Sequence, residues 1–359
     1  MVAFADIPLV DGHAHPPLRP ELAAREPFAR FFTEAPFAEA STLFYRQALR
    51  ELAALLDCAP TEADVLRARE NDPAYLRRLV EDARIETVLL DDGYPPSGAL
   101  SVAETAALAG IQAQRILRIE RLAEDLIAAQ QPVQRSLDDF ESALLAALGA
   151  ARPQLAGLKS VIAYRSGLTI EPAERDRAAA SLAAVPPGRL VAKPLLDHVL
   201  QLAADWAAEQ GLPLQLHTGF GDRDLDLRLA NPLHLRPLLE SGALARGPLV
   251  LLHTSYPYVR EAAYLASVYP NVYVDLSQAT PLLAGPALQH VLEELLGLAP
   301  VTRLLYGSDA WGIPDWLWLA AKAARHALEA ALAWLPASEA AWVAQRILHD
   351  NAAELYGLA

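Results

Sequence analysis

The sequence is poor in cysteine, with Cys58 as the only one among 359 residues. One thiol cannot form a disulfide within the chain and cannot build a cysteine-based metal cluster. Any metal ion that this protein holds must therefore be bound by nitrogen and oxygen ligands.

Long uncharged apolar segments are also missing, although 53% of the residues are hydrophobic. Charged residues interrupt each run before it reaches the about 18 residues that a membrane-spanning helix needs. The first residues, Met-Val-Ala-Phe-Ala-Asp, lack the basic start and the apolar middle of a secretory signal. We therefore expect a soluble, cytoplasmic protein with no membrane partner.

Positive charge is scarce, since 30 basic residues stand against 44 acidic ones and the net charge is -14. Proteins that bind a nucleic-acid backbone usually present a basic surface, so we do not expect a nucleic-acid partner. The sequence has no Gly-x-Gly-x-x-Gly or phosphate-loop motif, which argues against a nucleotide site. Among the basic residues, the only lysines are Lys159, Lys193 and Lys322.

Eight short apolar runs alternate with segments of helical periodicity. The runs cover residues 7–11, 85–90, 115–119, 158–164, 212–216, 249–252, 272–276 and 303–306, and helical patterns include 194–210, 259–268 and 286–296. Such alternation is typical of repeated βα units. Eight units predict an α/β fold, the (β/α)8 TIM barrel, as one domain over residues 1–359.

A barrel of this kind needs about 250 residues, and the excess length falls in two places. Residues 17–82 follow the first strand and carry helical patterns at 42–56 and 61–70. We expect this helical insertion to form a lid over the catalytic face or a contact within a homo-oligomer. Patterns at 314–335 and 338–348 predict extra C-terminal helices on the outside of the barrel, anchored by Trp316, Trp318 and Trp334.

Residue types that bind metals follow the predicted strands. His13 and His15 come after the first strand, and side chains two residues apart on a strand point to the same face. Three later runs end near His217, His253 and Asp309. Two histidines alone would be compatible with a solvated loop. Four histidines at strand ends, with an aspartate, indicate a metal site at the C-terminal face of the barrel.

The same segments resemble the amidohydrolase superfamily. They are Asp-Gly-His-Ala-His at 11–15, Leu-His-Thr-Gly at 216–219, Leu-His-Thr-Ser-Tyr-Pro at 252–257, Tyr-Gly-Ser-Asp-Ala at 306–310 and the closing segment 349–358. More closely, the chain is similar to the amidohydrolase-related branch, in which some members are fused to a glutamine-synthetase-like domain. The resemblance makes a separate glutamine-synthetase-like protein a candidate partner.

The resemblance also implies a reaction. Neutral imidazoles and a carboxylate suit Zn²⁺, with Mn²⁺ or Fe²⁺ as alternatives, and such an ion lowers the pKa of a bound water to about 7. In the superfamily's usual assignment, Asp309 accepts the proton of this water while the metal or His253 polarises the scissile carbonyl. We expect hydrolysis of an amide bond in a small carboxylate-bearing substrate. The alternatives are a nonoxidative decarboxylase, a lactonase, or a noncatalytic barrel that binds a small molecule or a partner.

The number of metal ions depends on Lys159. A lysine within an apolar strand must pair, lose its proton or be modified, because burial of a bare ammonium is costly. The resemblance implies a carboxylated Lys159 that bridges two ions. The alternative is an unmodified lysine at the barrel floor and one ion. The ligands would be His13, His15, His217, His253 and Asp309 in the first case, and the same set without His253 in the second.

Three further residues are candidates for substrate binding. Tyr164 and Arg165 leave the fourth strand toward the active face, and a planar guanidinium matches a carboxylate, although Arg165 also fits a surface loop. Asp222 lies on a glycine-containing loop shortly after His217. Weaker candidates, because turn chemistry or pairing explains them equally well, are Asp91, Asp92, Arg118 and Glu120.

Overall fold

Eight parallel strands form one sheet in sequence order in the computed structural model, which describes residues 4–94, 98–129 and 136–358. The strands are β1 Leu9–Ala14, β2 Ile85–Asp91, β3 Gln112–Arg118, β4 Leu155–Ser160, β5 Leu214–Leu216, β6 Leu249–Leu251, β7 Val272–Asp275 and β8 Leu304–Leu305. Helices connect them on the outside.

Two backbone hydrogen bonds join the segment that follows β8 to β1 and bring the two edges of the sheet together. The N–H of Gly12 donates to the carbonyl oxygen of Tyr306 (3.0 Å), and the N–H of Asp309 donates to that of His13 (2.8 Å). A Cβ atom at Gly12 would lie 3.0 Å from the Tyr306 oxygen, so glycine permits this close approach. The predicted (β/α)8 barrel is confirmed.

The predicted strands all exist, but their bounds differ in two places that matter for the site. β1 extends to Ala14, so His13 lies within the strand and His15 follows it. β4 ends at Ser160 rather than at residue 164. The Glu120 carboxylate accepts hydrogen bonds from the Ser160 hydroxyl (2.5 Å) and from the N–H of Val161 (3.1 Å). The N–H of Val161 is therefore not available for a hydrogen bond to a neighbouring strand. The chain then forms a 3₁₀ turn over Ile162–Tyr164.

The helices fill the connections between strands. They are α1 Pro20–Ala23, α2 Leu43–Leu56, α3 Glu62–Glu70, α4 Tyr75–Asp82, α5 Val102–Ala109, α6 Ile119–Ala129, α7 Leu137–Ala151, α8 Arg175–Ala184, α9 Lys193–Glu209, α10 Arg236–Ser241, α11 Val259–Val268, α12 Ala279–Leu282, α13 Gly285–Leu296, α14 Asp315–Ala331, α15 Ala337–Gln345 and α16 Asn351–Tyr356. In the described part of the chain, none of them has the length and apolarity needed to cross a membrane.

Helices α1 to α4 and a 3₁₀ turn at Phe28–Phe32 occupy the segment between β1 and β2. The predicted first residues of α2 and α3, Thr42 and Thr61, are the N-cap residues of these helices. The Thr42 hydroxyl accepts the N–H of Tyr45 (3.1 Å), and the Thr61 hydroxyl accepts the N–H of Asp64 (3.2 Å). Trp316 of α14 donates its indole N–H to the carbonyl oxygen of Phe31 (2.7 Å). The inserted segment is therefore fixed to the C-terminal part of the chain.

The last helix lies beyond the segments that were predicted to pack on the outside of the barrel. α15 continues through a π-helical turn, Arg346–Asp350, into α16, whose Tyr356 packs against the interior of the barrel. Gln215 on β5 donates to the Tyr356 hydroxyl (2.8 Å), so α16 covers the inside of the barrel. The prediction that Trp334 anchors a helix is wrong, since Trp334 is 81% exposed.

Candidate active site

The imidazoles of His13 and His15 converge on the carboxylate of Asp309. The Nε2 atoms lie 3.2 Å and 3.5 Å, respectively, from Asp309 Oδ1. His15 Nδ1 lies 2.9 Å from the carbonyl oxygen of Asp91. A carbonyl can only accept, so Nδ1 of His15 carries the proton and Nε2 presents its lone pair to the centre.

Asp309, four residues after the end of β8, has a left-handed backbone with φ of 56°. Such a conformation is costly for a residue other than glycine and is often found at functional sites, where the surrounding structure holds it. Burial would raise the pKa of Asp309, but the neighbouring His253, His13 and His15 hold it well below its usual range. This carboxylate is therefore ionised and aimed at the histidines.

Lys159 is buried at the catalytic end of β4, not at the barrel floor. Its Nζ lies 3.1 Å from Nε2 of His13. Burial lowers the pKa of Lys159 to about 8, although Asp91 and Asp309 oppose this shift. The floor position considered for an unmodified lysine is wrong, because the strand register places Lys159 beside Arg118 of β3 and Gln215 of β5.

His217 and His253 face each other with their unprotonated nitrogens. Nε2 of His217 lies 2.9 Å from the carbonyl oxygen of Phe220, so it carries the proton. The Ser277 hydroxyl donates to Asp275, and Nδ1 of His253 therefore donates to the Ser277 oxygen (3.0 Å). This leaves Nδ1 of His217 and Nε2 of His253 as acceptors only 2.9 Å apart.

This donor set fits a divalent metal ion. Donor atoms of His13, His253 and Asp309 lie within 4.8 Å of one another. Burial lowers the pKa of His13 to about 4, and it holds the pKa values of His217 and His253 well below their usual range, so these imidazoles are neutral. Neutral nitrogens and one carboxylate around a common centre are the ligands that zinc, manganese and iron take.

A pocket of about 260 Å³ opens above this centre, and the three predicted substrate residues line it. The Tyr164 ring lies 4.5 Å from that of His217, and the Tyr164 hydroxyl accepts the N–H of Asp222 (3.1 Å). Arg165 pairs with Glu124 (3.2 Å), while its Nε and Nη1 are buried and have no hydrogen-bond partner among the described residues. A guanidinium with unused N–H groups beside a pocket is suited to an anion.

The weaker candidates divide into two kinds. Arg118 lines the pocket and holds the buried Asp91 through Nε (3.0 Å) and Nη2 (2.6 Å). Asp91 also positions His15, so this pair supports the metal ligands. Glu120 ends β4 as described above, and Asp92 pairs with Arg115 (2.7 Å) at a distance from the pocket. Both of these carboxylates have structural partners.

Several pocket residues carried no signal in the sequence. They share only their place around the opening, and they are Arg30, Glu34, Tyr94, Arg189, Gln278 and Trp311. Arg30 and Glu34 come from the inserted segment, whose loops give no periodic pattern. Gln278 lies three residues after β7, and this position after a strand is the one signal that sequence reasoning missed.

The family model for Amidohydrolase matches residues 10–358. The chain belongs to this family. The family's matched range includes every side chain of the candidate metal centre, so the predicted resemblance is confirmed. Among curated relatives, Protein fluG from Emericella nidulans is 35% identical over 364 residues, which cover 90% of this chain and 42% of fluG. The chain thus spans about two fifths of that relative's length.

Solved structures of two kinds resemble the amidohydrolase-family chain. A protein from Lactobacillus casei ATCC 334 assigned to the metal-dependent hydrolases is 31% identical with a TM-score of 0.86, covering 98% of this chain and 96% of that one. A uronate isomerase from Bacillus halodurans C-125 has a TM-score of 0.69 at 10% identity, covering 98% and 94%. The second likeness shows the fold alone. The comparisons therefore show the family and the fold, and they leave the reaction open.

Proposed function

We propose that this protein is a metal-dependent hydrolase that cleaves the amide bond of a small carboxylate-bearing substrate. The observation that supports this most is the convergence of four imidazoles, those of His13, His15, His217 and His253, beside the ionised Asp309. These residues would hold a divalent ion, which would supply a bound water of lowered pKa and an electrophile for the carbonyl. Zn²⁺ is our first choice, with Mn²⁺ and Fe²⁺ as alternatives.

Asp309 is the proposed proton carrier. Its Oδ1 faces His13 and His15, and its side chain is 13% exposed toward the pocket. An ionised carboxylate that reaches the pocket can take a proton from the attacking water and deliver it to the leaving nitrogen. If a single ion is bound without His253, this residue is the proposed partner of the scissile carbonyl. Its Nε2 is an acceptor in the neutral ring, so His253 can polarise a carbonyl only after it has gained a proton.

Arg165, Tyr164 and Asp222 are the proposed substrate-binding residues. The unpartnered N–H groups of Arg165 would meet the substrate carboxylate, and the Tyr164 hydroxyl can donate to the same group while accepting the N–H of Asp222. We also propose that residues 17–82 cover the site, because Arg30 and Glu34 of this segment line the pocket.

Lys159 bears on the number of ions. A neutral amine reacts with carbon dioxide, and burial brings the pKa of Lys159 to about 8, near enough to neutrality for the amine form to be present. Nζ of Lys159 already lies 3.1 Å from His13 Nε2. We propose a carboxylated Lys159 that bridges two ions as the first model and one ion without the bridge as the second.

The test is metal analysis of the purified protein, followed by a screen of small carboxylate-bearing amides, γ-glutamyl amides and lactones. We expect bound metal and release of an amine and a carboxylic acid from an amide, both lost after chelation. Release of carbon dioxide would instead indicate the decarboxylase, and turnover of lactones alone would indicate the lactonase. A metal-free protein that turns over none of these compounds but binds a glutamine-synthetase-like protein would contradict the enzyme assignment.

A further inference from the structure

The pocket has an acidic end built from two parts of the chain. Glu34 comes from the segment inserted after β1, and Asp222 comes from the loop after β5. Their carboxyl groups lie in hydrogen-bond contact with each other. The amide of Gln278, which follows β7, lies beside the Glu34 carboxyl. All three side chains line the same pocket as the metal centre.

Gln278 provides an observation that does not depend on the carboxylates. The residue is only 3% exposed, and in the part of the chain that the structure describes its buried Oε1 has no hydrogen-bond partner. Because Oε1 and Nε2 share one carbon atom, this oxygen lies at the same cluster as Glu34. A buried acceptor without a donor is rare and calls for an explanation. The left-handed backbone of Gln278, with φ of 56°, shows that the surrounding chain holds the residue in this place.

The cluster has too few donors for its acceptors. Two carboxyl groups in contact resist simultaneous ionisation, and burial together with the charge of Asp222 raises the pKa of Glu34 to about 8. Arg30 is a nearby cation, but its guanidinium lies 5.3 Å over the Trp311 ring and donates to the carbonyl oxygen of Thr33 (3.3 Å). In the ligand-free protein, Glu34 and Asp222 therefore share a proton, and Gln278 Oε1 receives none.

We propose that Glu34, Asp222 and Gln278 form a subsite for a protonated primary amine of the substrate. An ammonium group has three N–H donors, and this cluster offers three acceptors, two of them carboxylates. On binding, the amine replaces the proton that Glu34 and Asp222 share, and this proton leaves to solvent. A substrate with an ammonium group at this subsite and a carboxylate at Arg165 is an amino-acid-like zwitterion. Its amide would face the metal centre. The position of the amide rests on the proposed function, whereas the ammonium subsite itself does not.

The test compares pairs of ligands that differ only in the amine. We suggest L-glutamine with glutaramate, and L-asparagine with succinamate, measured by calorimetry on the metal-loaded protein at neutral pH. The amine-bearing member of at least one pair should bind about tenfold more tightly or better, as expected for hydrogen bonds to charged groups. Equal affinity within both pairs, or no binding of any of the four compounds, would overturn the subsite.

Variants connect this preference to the named residues. Glu34→Gln and Asp222→Asn should each reduce the preference to near unity, because the amine-bearing ligand loses one of the acceptors of its ammonium group. Asp226→Asn is the matched control, because Asp226 lies on the same loop but pairs with the exposed Arg228 (2.7 Å). This variant should keep the full preference. If Glu34→Gln does not fold, as judged by thermal unfolding, Asp222→Asn decides alone, and a preference that survives it contradicts the subsite.

The two proposals fail in different ways. Hydrolysis of amine-free amides at the same rate as their amine-bearing partners keeps the hydrolase and removes the subsite. An amine preference that depends on Glu34 and Asp222, in a protein that hydrolyses no amide, keeps the subsite and removes the hydrolase.

Discussion

Nδ1 of His217 and Nε2 of His253 lie 2.9 Å apart, and each is an acceptor. The other ring nitrogen of each histidine fixes this arrangement. The Phe220 carbonyl accepts the proton on Nε2 of His217, and the Ser277 oxygen accepts the proton on Nδ1 of His253. Lone pairs that face each other repel unless a cation lies against both. The tautomers thus favour a metal ion more strongly than the presence of histidines does.

The first prediction concerns His13 and His15 at the C-terminal end of β1. Replacing His13 and His15 together with alanine should reduce the bound metal to a small fraction of the wild-type content, because it removes two converging nitrogens. The fold should persist, since catalytic ligands of barrels lie at strand ends. Elemental analysis and circular dichroism measure the two effects. His290→Ala, at a histidine whose side chain is 80% exposed, is the control. Unchanged metal content in the double variant would contradict the proposed ligands.

The second prediction separates metal binding from proton transfer. Asp309→Asn should keep at least part of the metal and lose turnover by about 10²–10⁴-fold, because an amide cannot accept the water's proton. Asparagine tolerates the left-handed backbone at this position. Asp57→Asn makes the same exchange at another left-handed aspartate, at the end of α2, and should leave turnover unchanged. Wild-type rates in Asp309→Asn would remove this residue from the proton-transfer role.

The third prediction is about Lys159. If its side chain is carboxylated, the protein should bind two ions per chain, and a native mass measurement should show the added mass of one carbon dioxide on Lys159. Lys159→Ala should then reduce the content to one ion or none. Lys322→Ala, whose Nζ lies over the Trp318 ring at 4.6 Å, provides the control. One ion per chain that survives Lys159→Ala would rule out the bridge.

The fourth prediction tests the partners behind the ligands. Ser277→Ala removes the acceptor of the His253 Nδ1 proton and should weaken metal affinity by about 10–100-fold. Metal titration with a competing chelator measures this change. Ser267→Ala is a suitable control, because this exposed hydroxyl donates to the carbonyl oxygen of Tyr264 (2.7 Å) outside the pocket. Equal affinity of Ser277→Ala and wild type would show that His253 is not a ligand or does not need this hydrogen bond.

The fifth prediction concerns pH and stability. Glu34 binds its proton more tightly in the folded chain, where its pKa is about 8, than in the unfolded chain, where it is about 4.5. Its contribution to the unfolding free energy is therefore present below pH 4.5 and is lost as the pH rises toward 8. Relative to Glu34→Gln, wild type should lose up to about 5 kcal/mol over this range, at about 1.4 kcal/mol per pKa unit.

Urea unfolding of the metal-free proteins at several pH values measures this difference. Glu26→Gln, at an exposed glutamate, should show the pH profile of the wild type. Parallel profiles for wild type and Glu34→Gln would mean that Glu34 keeps an ordinary pKa in the folded protein.

Much of the fold could be predicted because barrel strands and helices leave local signals. The pattern at residues 259–268 gave the bounds of α11, and Thr42 and Thr61 marked the starts of α2 and α3 as their N-caps. β4 was predicted too long because the Glu120 side chain, which ends it, comes from α6, and such a contact leaves no trace in the sequence of the strand.

The sequence by itself determined the barrel, the family and the six side chains proposed as metal ligands, because these depend on periodicity and on residue type at the ends of strands. The tertiary structure decided the tautomers of His217 and His253, the place of Lys159 beside His13, and the meeting of Glu34, Asp222 and Gln278. His217 and His253 are 36 residues apart in the sequence, and His13 and Lys159 are 146 residues apart. Contacts between residues so far apart in the sequence form only when the chain folds, so local sequence patterns do not indicate them.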